Sequence, residues 1–341
     1  MDALRKIVGL TLLGFLSLTT LRAQENRPVL DIQLSNYTYP FPVDSLLLPN
    51  NQGKDLYMYY MDIKPKQNPN GEAVLLLHGK NFNGAYWKTT VDALRDAGYR
   101  VIVPDQIGFG KSSKPAQYQF TFQQLAMNTD ALLSHVQLSE IHVLGHSMGG
   151  MLATRYALMY PEKVKKLILE NPIGLEDWKL YAPYQPIDKN YASELKADYA
   201  STKKYQMEFY YDNQWKEAYD EWVYLLTGWV NHPDYPRVAW NNALTSDMIF
   251  TQPVLYEFEH LSVPTLLVIG TRDRTAIGKD RVADPKVRAK MGQYQELGNE
   301  TQKKIPGAAL VELENVGHLP HIEAFERFMP PVLEFLKKKM N

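Results

Sequence analysis

Four short apolar runs recur along the chain: Ala73-Val-Leu-Leu-Leu77, Val101-Ile-Val103, Ile141-His-Val-Leu144 and Val164-Lys-Lys-Leu-Ile-Leu169. Each closes on turn residues and is followed by a stretch with helical spacing. Strands that are apolar on both faces belong in a parallel sheet covered by helices on both sides. Tyr86 to Ala97 carries helical spacing, Thr121 with Gln124 resembles a capping box opening a helix to about His135, and Met148 to Tyr160 reads as a third helix stopped by Pro161. The alternation predicts a doubly wound, mostly parallel α/β sheet. Ahead of it, Val29 to Tyr39 and Leu56 to Ile63 read as an antiparallel strand pair joined by the turn-rich Pro40 to Gly53.

The alternation breaks from Asn171 to about Leu261, which is crowded with aromatic residues and predicts a helical insertion. Sheet logic resumes at Pro264 to Gly270 and Ala309 to Leu313, and Glu323 to Lys339 makes an amphipathic closing helix. Residues 24–171 and 262–341 are therefore expected to form one sheet domain around a helical cap of residues 172–261. The charged segment from Thr275 to Pro306 reads as a solvated excursion of surface helix and loop.

Composition narrows the function. With 37 basic and 38 acidic residues, the net charge of −1 gives nucleic acid no electrostatic footing. The chain has no cysteine, which excludes disulfides, thiolate metal sites and a cysteine nucleophile. No interior apolar run approaches the roughly 20 residues that a membrane span requires. At the amino terminus, Arg5 and Lys6 precede an apolar run from Ile7 to Leu18 and a polar close at Leu21-Arg22-Ala23-Gln24. This reads as a signal peptide over residues 1–23, with export to the periplasm or the exterior.

The chemistry gathers at Gly145-His-Ser147-Met148-Gly149-Gly150, which lies between an apolar run and a helical one. This is a G-x-S-x-G elbow in the strand-turn-helix context that such a motif requires. Gly145 and Gly149 let the chain turn sharply, so Ser147 is expected to stand above the sheet at a helix N-terminus. A serine hydroxyl needs a base to take its proton and a carboxylate to fix that base's tautomer. His318, in Val316-Gly-His-Leu-Pro320, is the expected base, with His321 as the alternative. Asp273, in Gly270-Thr-Arg-Asp-Arg274, is the expected acid, with Glu170 as the alternative; the lesser reading of Asp273 is a turn carboxylate paired with Arg272 or Arg274. His146 points into the elbow itself, while His135, His142, His232 and His260 read as surface or core residues. The backbone N–H groups of Met148 and Lys80 are the expected oxyanion donors. The Lys80 side chain is expected either to meet an anionic substrate group or to pair with a carboxylate.

With those residues in hand, the chain resembles the α/β-hydrolase fold superfamily from about Ala73 onward. The resemblance rests on His78-Gly79, Asp105-Gln-Ile-Gly-Phe-Gly-Lys-Ser112, the Ser147 elbow, Gly270-Thr-Arg-Asp273 and Gly317-His318. It implies a cap after the sixth strand of the family's sheet, where the aromatic insertion falls, and a structural role for Asp105. Proline iminopeptidases carry a different loop after His-Gly, and dehalogenases and epoxide hydrolases place aspartate at the elbow. The interval from Asp273 to His318 is longer than is usual in the superfamily.

The expectation is an exported serine hydrolase that cleaves a small-molecule carboxylic ester through an acyl-enzyme, with neither cofactor nor metal. Trp178, Tyr181, Tyr210, Trp215 and Trp229 are the aromatic residues expected to face Ser147. The alternatives are an amidase or peptidase, a thioesterase or a carbon–carbon bond hydrolase with the same triad, and a non-catalytic ligand-binding protein. Contact of the cap with a lipid surface is a further alternative.

Overall fold

A computed structural model describes residues 27–338; the segment read as a signal peptide and residues 339–341 lie outside the described residues. Its centre is an eight-stranded sheet built from β1 (Asp44–Asn51), β2 (Lys54–Ile63), β3 (Ala73–Leu77), β4 (Arg100–Pro104), β5 (Ile141–His146), β6 (Val164–Glu170), β7 (Thr265–Gly270) and β8 (Ala309–Leu313). The spatial order is β1-β2-β4-β3-β5-β6-β7-β8. β2 pairs antiparallel with β1 and β4, and every other pairing is parallel. Residues of β3, β5 and β7 are buried throughout. Successive side chains serve opposite cores, with Leu75 and Leu77 in one and Val74 and Leu76 in the other.

Helices Lys88–Asp96, Phe122–His135 and Met148–Met159 lie where the sequence places them. Thr121 caps the second, its hydroxyl accepting from the Gln124 N–H at 2.9 Å. The reciprocal half of the capping box is not made; the Gln124 side-chain amide donates to Asn128. Between β6 and β7 the described residues hold helices Ile187–Glu194, Tyr199–Phe209, Asp220–Thr227 and Tyr235–Thr251 with short 3-10 turns and no strand.

Two expectations are corrected. Val29 to Tyr39 is not a strand: the Asp31 carboxylate accepts from the N–H groups of Gln33, Ser35 and Asn36 and winds the segment into turns. Leu30, Ile32 and Leu34 are buried in alternation, which mimics a strand, but they pack beside Trp229 and Tyr224 of the insertion. The true partner of β2 is β1, inside the supposed turn region, where edge exposure leaves only Leu48 fully buried. The second correction concerns Thr275 to Pro306. Its helix Tyr294–Lys304 covers the sheet at β7 and β8, with Met291, Tyr294 and Ile305 buried and the Tyr294 hydroxyl bonded to the Pro172 carbonyl at 3.1 Å.

Candidate active site

β5 delivers the chain into a turn so tight that Ser147 adopts φ 56° and ψ −122°, a left-handed conformation rare outside glycine. The helix beginning at Met148 leaves at once. A β-carbon on Gly149 would lie 2.0 Å from the Leu77 carbonyl oxygen, and one on Gly145 would lie 2.2 Å from the Gly149 carbonyl oxygen. Only hydrogen fits at both positions. The strained turn is tied down by bonds from the Ser147 N–H to the Glu170 carbonyl and from the Gly150 and Ile173 N–H groups to the Ser147 carbonyl.

The loops after β7 and β8 carry Asp273 and His318 to the same sheet edge. His318 Nε2 lies 3.0 Å from Ser147 Oγ, and its Nδ1 lies 2.6 Å from Asp273 Oδ2. An ionised carboxylate only accepts, so Nδ1–H donates to Asp273 and the Nε2 lone pair faces the serine hydroxyl. Asp273 has no solvent exposure. Burial pushes its carboxyl upward, but the His318 charge and hydrogen bonds from His318, Asn171 and Thr275 outweigh that and hold it below the ordinary aspartate value. Neither neighbouring arginine takes this carboxylate: Arg272 pairs with Glu323, and Arg274 donates to the Thr271 and Asp273 carbonyls.

Asn171 was not singled out in the sequence. Its amide donates to Asp273 Oδ2 at 2.8 Å and its carbonyl oxygen accepts from the Gly270 N–H at 2.8 Å, so it clamps the acid to the end of β7. Its place just after β6 is the available signal. The two alternatives for acid and base pair with each other instead, since Glu170 Oε1 accepts from the backbone N–H of His321 and lies 2.7 Å from its ring Nδ1. Asp105 is structural as expected, accepting from the Gly84 and Lys111 N–H groups and the Tyr39 hydroxyl.

The loop after β3 passes beside the elbow, with a β-carbon built on Gly79 falling 3.0 Å from Ser147 Cβ. The Gly79 N–H is already committed to the Tyr86 hydroxyl at 3.0 Å. Among the described residues, no protein acceptor takes the N–H of Lys80 or of Met148. The Lys80 ammonium pairs with Glu194 of the insertion at 3.0 Å, which is the carboxylate pairing rather than a free cation.

Of the five aromatic residues, Tyr210 stacks on the His318 ring at 5.0 Å between centroids and takes a hydrogen bond from Asn81. Trp229 does not meet the expectation: it lines a small cavity with Lys80, Phe82 and Tyr86 whose walls do not include Ser147. The other three are corrected as well. Trp178 is buried in the main core with its ring N–H on Glu176, Tyr181 is 47% exposed, and Trp215 packs on Tyr211 and Tyr219 within the insertion. A larger cavity of about 790 Å³ was not anticipated; Asn81, Tyr205, Phe209, Tyr235, Asn242 and Thr275 are among its walls. It reaches the triad's neighbours rather than Ser147 itself, through Asn81 and through Thr275, whose N–H bonds Asp273. Among the described residues, no cluster of side chains suits a metal ion and no helix is long and apolar enough to cross a membrane.

This sheet, elbow and loop arrangement is matched by the alpha/beta hydrolase fold model over residues 72–325, and the chain belongs to that family. A probable hydrolytic enzyme from Pseudomonas aeruginosa PAO1 is 49% identical and superposes with a TM-score of 0.89, the match covering 91% of this chain and 99% of that one. Lipase 1 of Psychrobacter immobilis is 28% identical over 264 residues, 76% of this chain and 75% of the relative. A haloalkane dehalogenase of Mycolicibacterium paratuberculosis is 29% identical over 160 residues, so the matched part of this chain spans 52% of that relative.

Proposed function

We propose that the protein hydrolyses carboxylic esters of small molecules through an acyl-enzyme on Ser147. The observation that carries this reading is the unbroken chain from Ser147 Oγ through His318 to Asp273. Ser147 Oγ attacks the ester carbonyl as His318 Nε2 takes its proton, and the carbonyl oxygen becomes an oxyanion facing the Met148 and Lys80 N–H groups. Collapse breaks the bond to the alcohol, which leaves with the proton from His318. Water then repeats the sequence on the acyl-serine and releases the acid. Asp273 stays ionised and offsets the charge that His318 gains.

The lipase named among the relatives supports an ester substrate. The dehalogenase relative points elsewhere, but displacement of halide in those enzymes proceeds from an aspartate, whereas this elbow holds Ser147. The basic start, apolar run and Ala23 close at the amino terminus support export; amino-terminal sequencing of the mature protein is expected to begin at Gln24. An ester panel graded by acyl length, with matched amides beside it, tests the reaction class. Esters turned over far faster than amides, with Ser147→Ala reduced by about 10⁴-fold or more, is the expected result. Equal or faster cleavage of the amides would contradict it.

A further inference from the structure

Behind the triad, His146 and Tyr86 are buried and take no part in the proposed chemistry. His146 Nε2 lies 2.7 Å from the His318 carbonyl oxygen, and its Nδ1 lies 3.0 Å from the Tyr86 hydroxyl. That hydroxyl accepts from the Gly79 N–H. The two ends of this chain fix its bond directions once the His146 ring is neutral. A carbonyl can only accept, so His146 Nε2 carries a proton. A neutral imidazole carries one ring proton, so with Nε2 protonated Nδ1 is bare and takes the Tyr86 hydroxyl proton. A protonated His146 would leave the Tyr86 hydroxyl proton without this acceptor. Burial, foremost, also pushes the His146 ring down to about 3, although the nearby Glu170 carboxyl opposes this.

We propose that Tyr86 and His146 are positioning residues that lock the Gly79-Lys80 loop to the His318 loop, so that the Lys80 N–H and the His318 ring are held in register at Ser147. The proposal rests on the hydrolase reading above and deepens it. The relay runs from the Gly79 N–H to the Tyr86 oxygen, from the Tyr86 hydroxyl to His146 Nδ1, and from His146 Nε2–H to the His318 carbonyl. It leaves the Gly79 amide occupied and the next amide, Lys80, turned to the substrate. The Tyr86 ring cannot swing away, being stacked on Phe82 at 4.7 Å and set edge-on to Trp87 and His321.

The test has two arms on the whole protein. Tyr86→Phe keeps the ring and removes the relay; it is expected to lower kcat by about 10- to 100-fold with KM within about twofold, because misplaced oxyanion donors are felt in the transition state alone. His146→Gln keeps one acceptor and one donor and is expected to retain more activity than His146→Leu. In the second arm, ¹⁵N spectra of the wild type are expected to show His146 protonated at Nε2 and bare at Nδ1. A Tyr86→Phe enzyme as fast as wild type, equal activity in the two His146 variants, or a proton on Nδ1 would overturn the relay. A wild-type protein that takes no fluorophosphonate at Ser147 would instead overturn the hydrolase reading and with it the catalytic part of this one.

Discussion

Asp273 shows how a single side chain sets the limits of this site. Buried and ionised, it is tolerable only because His318, Asn171 and the Thr275 N–H together supply its hydrogen bonds. Asp273→Asn replaces an acceptor with an amide and favours the wrong His318 tautomer; kcat is expected to fall by about 10⁴-fold while the protein stays folded. Steady-state kinetics beside thermal melting check this. Glu170 offers a different prediction, in stability. Burial pushes its carboxyl up to about 7, so the folded chain holds a proton that the unfolded chain releases near pH 4.5. The sign follows: the unfolded state binds fewer protons across that window, and stability contributed by this group falls as pH rises from about 4.5 to 7. Glu170→Gln removes that slope, so the variant's Tm relative to wild type is expected to rise across the window and level off above it. A difference independent of pH would contradict the assignment.

At the scale of elements, the elbow is the least forgiving part. Gly149→Ala drives a methyl into the Leu77 carbonyl, and backbone on both sides leaves it nowhere to go. Loss of soluble folded protein, or a Tm lowered by a cost of about 3 kcal/mol or more, is the expected outcome. Thr121→Ala removes one helix cap and is expected to cost only about 1 kcal/mol in denaturant unfolding. The elements legible in the sequence were those with a local cause: fully buried strands such as β3 and β5, and helices announced by Thr121 or ended by Pro161. β1 was illegible because an edge strand buries one side chain and shows no clear alternation. Val29 to Tyr39 misled for the opposite reason, its real alternation serving a turn organised by Asp31. Ser147, Asp273 and His318 were readable because each follows a strand. Asn171 lay in an equivalent place but has no motif, and its role depends on Gly270 and Asp273, 99 and 102 residues away. The cap aromatics could not be sorted, since Trp215 and Trp229 have the same local character and only the packing separates them.

Across the whole molecule, the insertion meets the sheet edge at a few defined points. Lys80 reaches Glu194, Asn81 reaches Tyr210, and Arg272 reaches the Tyr210 carbonyl. With its ammonium held by Glu194, Lys80 is expected to have little part in selecting charged substrates: Lys80→Met should leave the ratio of kcat/KM for anionic over neutral esters unchanged within about twofold. A large fall in that ratio would return the side chain to a substrate role. The cavity of about 790 Å³ under the insertion is roomy enough for an acyl or alcohol group larger than a short ester carries. The central claim, however, is that Ser147 is an activated nucleophile, and it can be tested without knowing that group. Intact-mass analysis after exposure to a fluorophosphonate, run beside Ser147→Ala, is the direct measurement. A single adduct on the wild type that vanishes in the variant is predicted; a folded wild type that gains no mass, or a variant that still gains it, would contradict the account.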